Sequence, residues 1–397
     1  MPPTPHPGRA GPGVVGTEGR YPLSEPVPVA LHVGGRRLLP VGPLRMYACG
    51  ITPYDVTHVG HAATFVWADL MATLARATGS EAELARNVTD VDDVLTDAAR
   101  TRGWDFDELA LAQEFLFDRD MKALAVAPPA ASPHARSHIG VVVRLAADLL
   151  ERGAAYAVDG HVYFRGADVP ARAGLDEEAA LAALQANGDQ DDVPGRTSPV
   201  DVAVWRPSGE GDPAWPSPWG WGRPGWHAEC AAMALCSLGS SVDVLVGGAD
   251  LAFPHHAYQA AMVEAATEVT PFARTVLHVG EVRRDGRKMA KSTGNLTLVT
   301  DLLVRHSGAA VRLGLLNRRW AEPWDCEEAV FVEATRTLQQ LRQAAGEPPA
   351  SAPDEGAREV LELLADDLDV PSAVRLALAE GGGTAAAVLD LLKLRVG

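Results

Sequence analysis

The chain has 397 residues, 47% hydrophobic and 22% charged, which is typical of a soluble globular protein with two or three structural units. Its formal net charge of −17 argues against nucleic acid as the main substrate, because phosphate binding needs a basic surface. No apolar run approaches the roughly 18–20 residues that cross a bilayer. Residues 1–44 lack a signal-peptide pattern, and only four cysteines are present, so a cytoplasmic location with reduced thiols is expected.

The first part of the chain alternates strand and helix patterns. Residues 1–20 are predicted to be a flexible leader. The predicted elements that follow are strands over 27–33 and 44–49, an amphipathic helix over 62–77 that ends at Gly79, a strand over 83–88 and a helix that starts on an acidic turn over 89–100. Strand, helix, strand, helix in this order predicts a doubly wound α/β fold.

The rest of the chain predicts an interruption of that fold and a helical end. The predictions are helices over 105–185 with a strand at 161–164, a loop rich in Pro, Gly and Trp over 186–226, strands over 242–246 and 275–279, and a helical last hundred residues broken near 345–355. The expected units are a first catalytic half at 21–130, an insertion at 131–222, a second catalytic half at 223–300 and a helical region at 301–397.

The segment 49–61 follows a predicted strand and opens a predicted helix. Backbone amides and the helix dipole favour phosphate binding at such a helix start. His58 and His61 are three residues apart and can face one ligand, and Gly60 between them lets a nucleotide approach closely. Taken alone, the pattern is equally consistent with an ordinary loop.

The segment 288–295 places Lys288 and Lys291 three residues apart in a loop that contains Gly294. Two lysines in such a loop suit the charge that develops on departing pyrophosphate. Taken alone, an ordinary solvated basic loop explains them as well.

Together, the two segments resemble the HIGH and KMSKS signatures of class I aminoacyl-tRNA synthetases, with Ala290 in place of the middle serine. The resemblance implies an α/β Rossmann catalytic domain interrupted by a connective insertion and followed by a helical C-terminal domain. It also implies adenylation of an amino acid with ATP and Mg²⁺. The catalytic residues that it implies are His58, His61, Lys288 and Lys291.

Four further segments, 46–50, 87–93, 225–230 and 253–256, are similar to cysteinyl-tRNA synthetase and to the related mycothiol cysteine ligase family. That family joins cysteine to the amine of glucosaminyl-inositol. The resemblance implies a Zn²⁺ site at Cys49, Cys230 and His255, whose open fourth position accepts the substrate thiol. Without the resemblance, these scattered residues would give no metal signal. The synthetases add a glutamate ligand where this chain has Gln259.

The same resemblance implies the residues that contact the cysteinyl-adenylate. They are Cys49, Gly50, Ile51, Thr52, Thr64, Asn87, Val88, Thr89, Trp226, Gly248, Ala249, Asp250 and Val282. Structural alternatives stay open: Asp250 also suits a turn, and Trp226 also suits packing of the pocket wall. Asp90, Asp92 and Asp93 are interpreted as a capped helix start, and Cys236 and Cys326 as packing residues.

The resemblance to the ligase family implies an amino sugar as acceptor, and the acidic character of the hundred residues after Asn295 argues against tRNA. Two departures from the ligase pattern, the altered loop at 186–191 and Val246 in place of a glycine, keep other acceptors open. Alternatives are a paralogue that uses another small-molecule amine and a cysteinyl-tRNA synthetase. The general base for the second step is not identified. The expected partners are ATP, L-cysteine and glucosaminyl-inositol, with no membrane, and the chain is expected to be a monomer or weak dimer.

Overall fold

The computed structural model describes residues 29–54, 56–188, 195–289, 294–346 and 355–395. The strands are β1 (Leu31–Val33), β2 (Arg36–Leu38), β3 (Leu44–Ile51), β4 (Ala82–Val88), β5 (Ala155–Val158), β6 (His161–Phe164), β7 (Val202–Pro207), β8 (Gly222–Pro224), β9 (Val242–Gly248), β10 (Ala273–Val279), β11 (Val282–Arg284), β12 (Arg287–Lys288) and β13 (Trp324–Asp325). The helices are α1 (Val59–Ala77), α2 (Asp93–Arg102), α3 (Phe106–Ala123), α4 (Ile139–Glu151), α5 (Val169–Arg172), α6 (Glu177–Ala186), α7 (Trp226–Leu238), α8 (Ala257–Thr267), α9 (Val299–Arg305), α10 (Gly308–Leu316), α11 (Glu328–Ala345), α12 (Glu355–Ala365), α13 (Val370–Glu380) and α14 (Gly382–Leu391).

A four-stranded parallel sheet in the order β10-β9-β3-β4 forms the centre of the fold. The two central strands, β3 and β9, are almost entirely buried, as expected where both faces of a parallel sheet are covered. The chain leaves β3 through α1 to reach β4 on one side, and leaves β9 through α8 to reach β10 on the other. The carboxyl ends of β3 and β9 therefore meet at a topological switch point, where open α/β sheets bind ligands.

Helix α1 differs from the predicted amphipathic helix because it is buried around its whole circumference. It contacts the central sheet on one side and α10, α12 and α14 of the helical region on the other. A helix covered on both sides needs no polar face. It also begins earlier than predicted, at Val59, because the His58 side chain accepts a hydrogen bond from the Gly60 N–H and caps it.

The segment between the two halves of the central sheet forms an antiparallel sheet in the order β5-β6-β7-β8. The prediction of a continuous loop over 186–226 was wrong, since β7 and β8 lie within it. Val202 and Val204 of β7 are buried in the core of this region. Each of these strands ends at a proline, Pro207 in β7 and Pro224 in β8. These prolines contribute to a loop-like composition that concealed the strand pattern.

Helix α2 starts at Asp93 rather than at Thr89, and the Asp92 side chain caps it as expected. Asp90 lies before the helix and forms an ion pair with Arg136, so it takes no part in the cap. Cys326 is buried as predicted, whereas Cys236 is exposed, which corrects its interpretation as a packing residue. No helix among the described residues has the length and apolar character needed to span a membrane.

A buried charge cluster joins α1, which packs on the central sheet, to the C-terminal helices. The Arg312 guanidinium of α10 lies 2.6 Å from Asp69 of α1 and donates to the carbonyls of Leu124 and Leu392. Lys393 lies 2.7 Å from the other oxygen of Asp69. Burial alone would raise the pKa of Asp69, but the charges of Arg312 and Lys393 hold it below its ordinary value. The cluster thus keeps Asp69 ionised in an apolar setting.

Replacing Arg312 by methionine should lower the free energy of unfolding by about 3–5 kcal/mol, because it leaves a buried carboxylate without its main partner. Urea denaturation followed by circular dichroism measures the change. Arg336→Met is the matched control, since Arg336 pairs with Glu333 on the surface, and such pairs contribute no more than about 1 kcal/mol. Equal losses in both variants would contradict the role given to Arg312.

Candidate active site

A cavity of about 570 Å³ opens at the carboxyl ends of the central strands. Its wall brings together sixteen residues that were predicted from the sequence. They are Cys49, Gly50, Thr52, His58, His61, Thr64, Asn87, Thr89, Trp226, Cys230, Gly248, Ala249, Asp250, His255, Val282 and Lys288. These residues come from both halves of the interrupted sheet, so only the folded chain assembles the cavity.

Two other predicted residues, Ile51 and Val88, are not among those that line the cavity. The side chains of Ile51 and Val88 are buried in the main hydrophobic core, which leaves only their backbones for contact with a ligand. Lys291 lies outside the described residues. Sequence reasoning missed Tyr54 and Glu281, which also line the cavity. The position of Glu281 just after the carboxyl end of β10 was a signal that could have identified it.

The start of α1 forms one wall of the cavity. The rings of His58 and His61 lie 3.8 Å apart between centroids. A Cβ atom at Gly60 would lie 2.9 Å from the His58 ring, so a larger residue there would displace this ring. The first turn of α1 contains no acidic residue, which leaves the positive end of the helix dipole available to an anion.

The ends of β3 and β4 are held together by side-chain hydrogen bonds. Gly50 N–H donates to Asn87 Oδ1 at 3.0 Å, and the hydroxyls of Thr52 and Thr89 lie 2.7 Å apart. A Cβ atom at Gly50 would lie 1.7 Å from the Asn87 carbonyl oxygen. Only glycine therefore permits the close contact of these two strands, which fixes Asn87 at the cavity wall.

Cys49, Cys230 and His255 form a compact group of side chains that could hold a metal ion. Their ligand atoms all lie within 4.8 Å of one another, and all three residues are buried. Asn87 Nδ2 donates to Cys230 Sγ at 3.4 Å. Cys49 lies near the end of β3, Cys230 lies on α7 and His255 precedes α8, so three separate parts of the chain meet here.

Burial governs the protonation of Cys230 and His255 in this group. Burial, followed by the effect of Cys49, raises the pKa of Cys230 well above its ordinary value. Burial, followed by His227 and His256, lowers the pKa of His255 well below its ordinary value, which leaves a neutral imidazole. Neutral imidazole and thiols that can lose their protons are the donors that zinc prefers. The residues present therefore form a group that could hold a metal ion.

Neighbouring aromatic groups fix the orientation of His255. Its Nδ1 lies 3.0 Å from Nδ1 of His227, and the Trp226 ring stacks on it with centroids 4.1 Å apart. Burial lowers the pKa of His227 to about 3, so both rings are neutral at physiological pH. No role was assigned to His227 from the sequence, although its position three residues before Cys230 on one helix was a signal for it.

Lys288 also lines the cavity. Its Nζ lies 2.7 Å from Asp250 Oδ2, and each side chain is about half exposed. Lys288 is the last residue of β12, which pairs with β11 in a hairpin. An exposed pair of this kind is weak, so a phosphate or an ammonium group can replace either partner.

Comparisons with known proteins agree with this geometry. A family model described as "tRNA synthetases class I (C) catalytic domain" matches residues 38–336. The L-cysteine:1D-myo-inositol 2-amino-2-deoxy-alpha-D-glucopyranoside ligase of Parafrankia sp. (strain EAN1pec) is 43% identical over 88% of this chain and 82% of its own length. The protein of the same name from Rhodococcus jostii (strain RHA1) is 42% identical over 91% of this chain and 93% of its own length.

Solved structures share the fold. Mycobacterium tuberculosis methionyl-tRNA synthetase in complex with methionyl-adenylate superimposes with a TM-score of 0.58 at 17% identity, covering 89% of this chain and 82% of that one. This likeness concerns the fold alone, and it confirms the expected Rossmann-like core with a helical C-terminal region. The chain therefore belongs to the class I (C) tRNA-synthetase catalytic-domain family and to the family of L-cysteine:1D-myo-inositol 2-amino-2-deoxy-alpha-D-glucopyranoside ligases.

Proposed function

We propose that the chain is an ATP-dependent ligase that adenylates L-cysteine and transfers the cysteinyl group to the amine of glucosaminyl-inositol. The observation that carries the proposal is the buried group of Cys49, Cys230 and His255 in the wall of the same cavity as His58 and His61. A site for a thiol and a site for a nucleotide thus adjoin each other. The names of the similar ligases support the choice of acceptor.

In the first step, a carboxylate oxygen of cysteine attacks the α-phosphorus of ATP, and the bond to the β-phosphate breaks to release pyrophosphate. His58 and His61 stabilise the charge that develops at the α-phosphate, assisted by the start of α1. Lys288 and Lys291 stabilise the leaving pyrophosphate, with Mg²⁺ bound to ATP. Asp250 binds the substrate ammonium or a ribose hydroxyl, and Lys288 must leave Asp250 to reach the phosphates.

Zinc held by Cys49, Cys230 and His255 would supply one open coordination position that accepts a thiolate in preference to a hydroxyl. Asn87 supports this selection by donating to Cys230 Sγ. Trp226 and His227 hold the His255 ring in place. With the thiol fixed at one end of the cavity, the carboxylate of cysteine lies toward the nucleotide end, which favours in-line attack.

In the second step, the amine of the acceptor attacks the carbonyl carbon of the cysteinyl-adenylate. An amide bond forms, the bond to the phosphate oxygen breaks and AMP leaves, while the amine loses a proton to solvent. The adenylate is already an activated mixed anhydride, so no covalent nucleophile from the protein is needed. Of the altered loop, residues 186–188 lie at and just after the end of α6, and residues 189–191 lie outside the described residues.

The proposal is tested by two assays on the full chain. ATP–pyrophosphate exchange should depend on cysteine, and serine should not replace it. With ATP and labelled cysteine, glucosaminyl-inositol should yield an amide, whereas tRNA should stay uncharged. Exchange that depends on serine as well as on cysteine would contradict the proposal of a site for the substrate thiol. Charging of tRNA would show that tRNA, rather than the amino sugar, is the acceptor. Formation of an amide only with a different amine would indicate a paralogue that uses that amine as its acceptor.

The remaining expectations belong to the same proposal. A cytoplasmic location is supported by the use of ATP and by four cysteines that are all free thiols. We propose a monomer or weak dimer, and the unit boundaries near residues 130, 222 and 300 stay predictions.

A further inference from the structure

Tyr54 lines the cavity but has no part in the proposed binding of cysteine or ATP. It lies in the segment between β3 and α1, and it shares the cavity wall with Thr89, which directly follows β4. The sheet order β10-β9-β3-β4 makes β4 an edge strand. Val282 and Lys288, which are proposed to contact the nucleotide and its phosphates, come after β10 at the opposite edge. The two edges of the sheet thus offer two different sides of the cavity to ligands.

The helices α2 and α3 support Tyr54 from behind. Tyr54 packs against the buried residues of a small cluster that these helices form, namely Leu95, Ala99, Leu109 and Ala110. Its carbonyl accepts a hydrogen bond from Arg102 Nη1 at 2.9 Å, and its N–H donates to the Thr52 carbonyl at 2.9 Å. The residue is only partly buried. A held aromatic residue that borders a cavity offers a ligand both an apolar ring and a polar tip.

Ion pairs fasten the same helix α2 to the insertion. Asp93, the first residue of α2, lies 2.7 Å from Arg206 of β7 and 2.9 Å from Arg223 of β8. Thr89 comes four residues before Asp93, and Trp226 comes three residues after Arg223, and both line the cavity. The insertion and the support of Tyr54 are therefore joined close to the cavity wall.

We infer that Tyr54 is a specificity-determining residue for the second step, and that its ring packs against the sugar of the acceptor. The inference deepens the proposed function and rests on it. The acceptor amine must reach the adenylate carbonyl while the thiol and the nucleotide are both bound, so the sugar needs a side of the cavity that neither of them occupies. An aromatic ring with a polar tip suits the C–H face and the hydroxyls of a sugar. A small amine that has no sugar ring would gain nothing from Tyr54.

Tyr54→Leu tests the inference, because it removes the ring and keeps an apolar side chain against α2 and α3. Its kcat/KM for glucosaminyl-inositol should fall at least about 10-fold, the size of a well-packed aromatic contact. Cysteine-dependent ATP–pyrophosphate exchange should stay within about two-fold of the wild type, because other residues bind cysteine and ATP. Tyr54→Phe keeps the ring and should lose less than Tyr54→Leu does. Tyr54→Met decides the question if the leucine variant does not fold.

Hydroxylamine separates contact with the sugar from a general defect, because this small amine traps the cysteinyl-adenylate as a hydroxamate and releases AMP. The wild type and Tyr54→Leu should form the hydroxamate at equal rates. Trp104→Leu is the matched control, since Trp104 lies between α2 and α3, is 52% exposed and does not line the cavity. It should resemble the wild type with both amines.

The outcomes distinguish the inference from the proposed function. Equal losses with hydroxylamine and with glucosaminyl-inositol in Tyr54→Leu would overturn the inference, and so would an unchanged kcat/KM for glucosaminyl-inositol. A wild-type protein that forms the hydroxamate but no amide with glucosaminyl-inositol would contradict the proposed acceptor, and the inference would fall with it. A wild-type protein that forms neither product would contradict the adenylation of cysteine itself.

Discussion

Replacing Cys230 by alanine should remove bound zinc and reduce cysteine-dependent ATP–pyrophosphate exchange by more than about 100-fold. Loss of a residue that merely supports a metal ligand costs about 10–100-fold in metal affinity or activity, and loss of a ligand itself costs more. Cys230 is buried beside Cys49 and Asn87, and the described residues around it offer no other thiol to the group. Zinc content by atomic absorption and exchange kinetics measure the two effects.

The chain supplies its own control for this experiment. Cys236 lies on the same helix, α7, six residues later, but is exposed. Cys236→Ala should therefore keep the zinc content and exchange rate of the wild type. Thermal unfolding of both variants separates loss of metal from loss of fold. A Cys230→Ala protein that retains stoichiometric zinc and full exchange would contradict the assignment of this metal site.

The metal group illustrates what a single sequence does and does not reveal. Cys49 and His255 are far apart in the chain, and no local spacing relates them to Cys230. They meet because β3 and β9 are neighbours in the parallel sheet, which brings the ends of both halves together. Only the resemblance to a known family could predict this grouping. The strands β3, β4, β9 and β10, in contrast, were predicted directly from the sequence.

The errors in the predicted elements have physical causes outside each local segment. The pattern of α1 was interpreted as amphipathic, but helices that come more than 200 residues later cover its second face. Strand β7 was hidden by the prolines and glycines around it, although its buried valines pack onto the insertion core. Residues 89–92 were predicted as helix, but Asp90 pairs with Arg136 and Asp92 caps α2. Tertiary partners decided the outcomes at α1, β7 and Asp90.

Replacing His61 by alanine should lower kcat for cysteine-dependent exchange by about 100–1000-fold, the usual effect of removing one group that stabilises charge in a transition state. Zinc content and the dissociation constant for cysteine should stay within about two-fold of the wild type, because the thiol site is built from other elements. Exchange kinetics, atomic absorption and calorimetry give the three values. A comparable loss of cysteine binding would assign His61 to substrate binding instead.

His58 needs a different substitution, because its side chain also caps α1 by accepting from the Gly60 N–H at 3.1 Å. Alanine there would combine loss of the cap, worth about 1 kcal/mol, with loss of the imidazole. Replacement by asparagine removes the imidazole ring but keeps a good capping residue at this position. The His58→Asn variant should therefore unfold like the wild type and catalyse exchange about 100-fold more slowly. The His58→Ala variant should have both a lower stability and a lower exchange rate. Equal exchange in His58→Asn and the wild type would limit His58 to its capping role, and would leave His61 and the helix start to stabilise the α-phosphate.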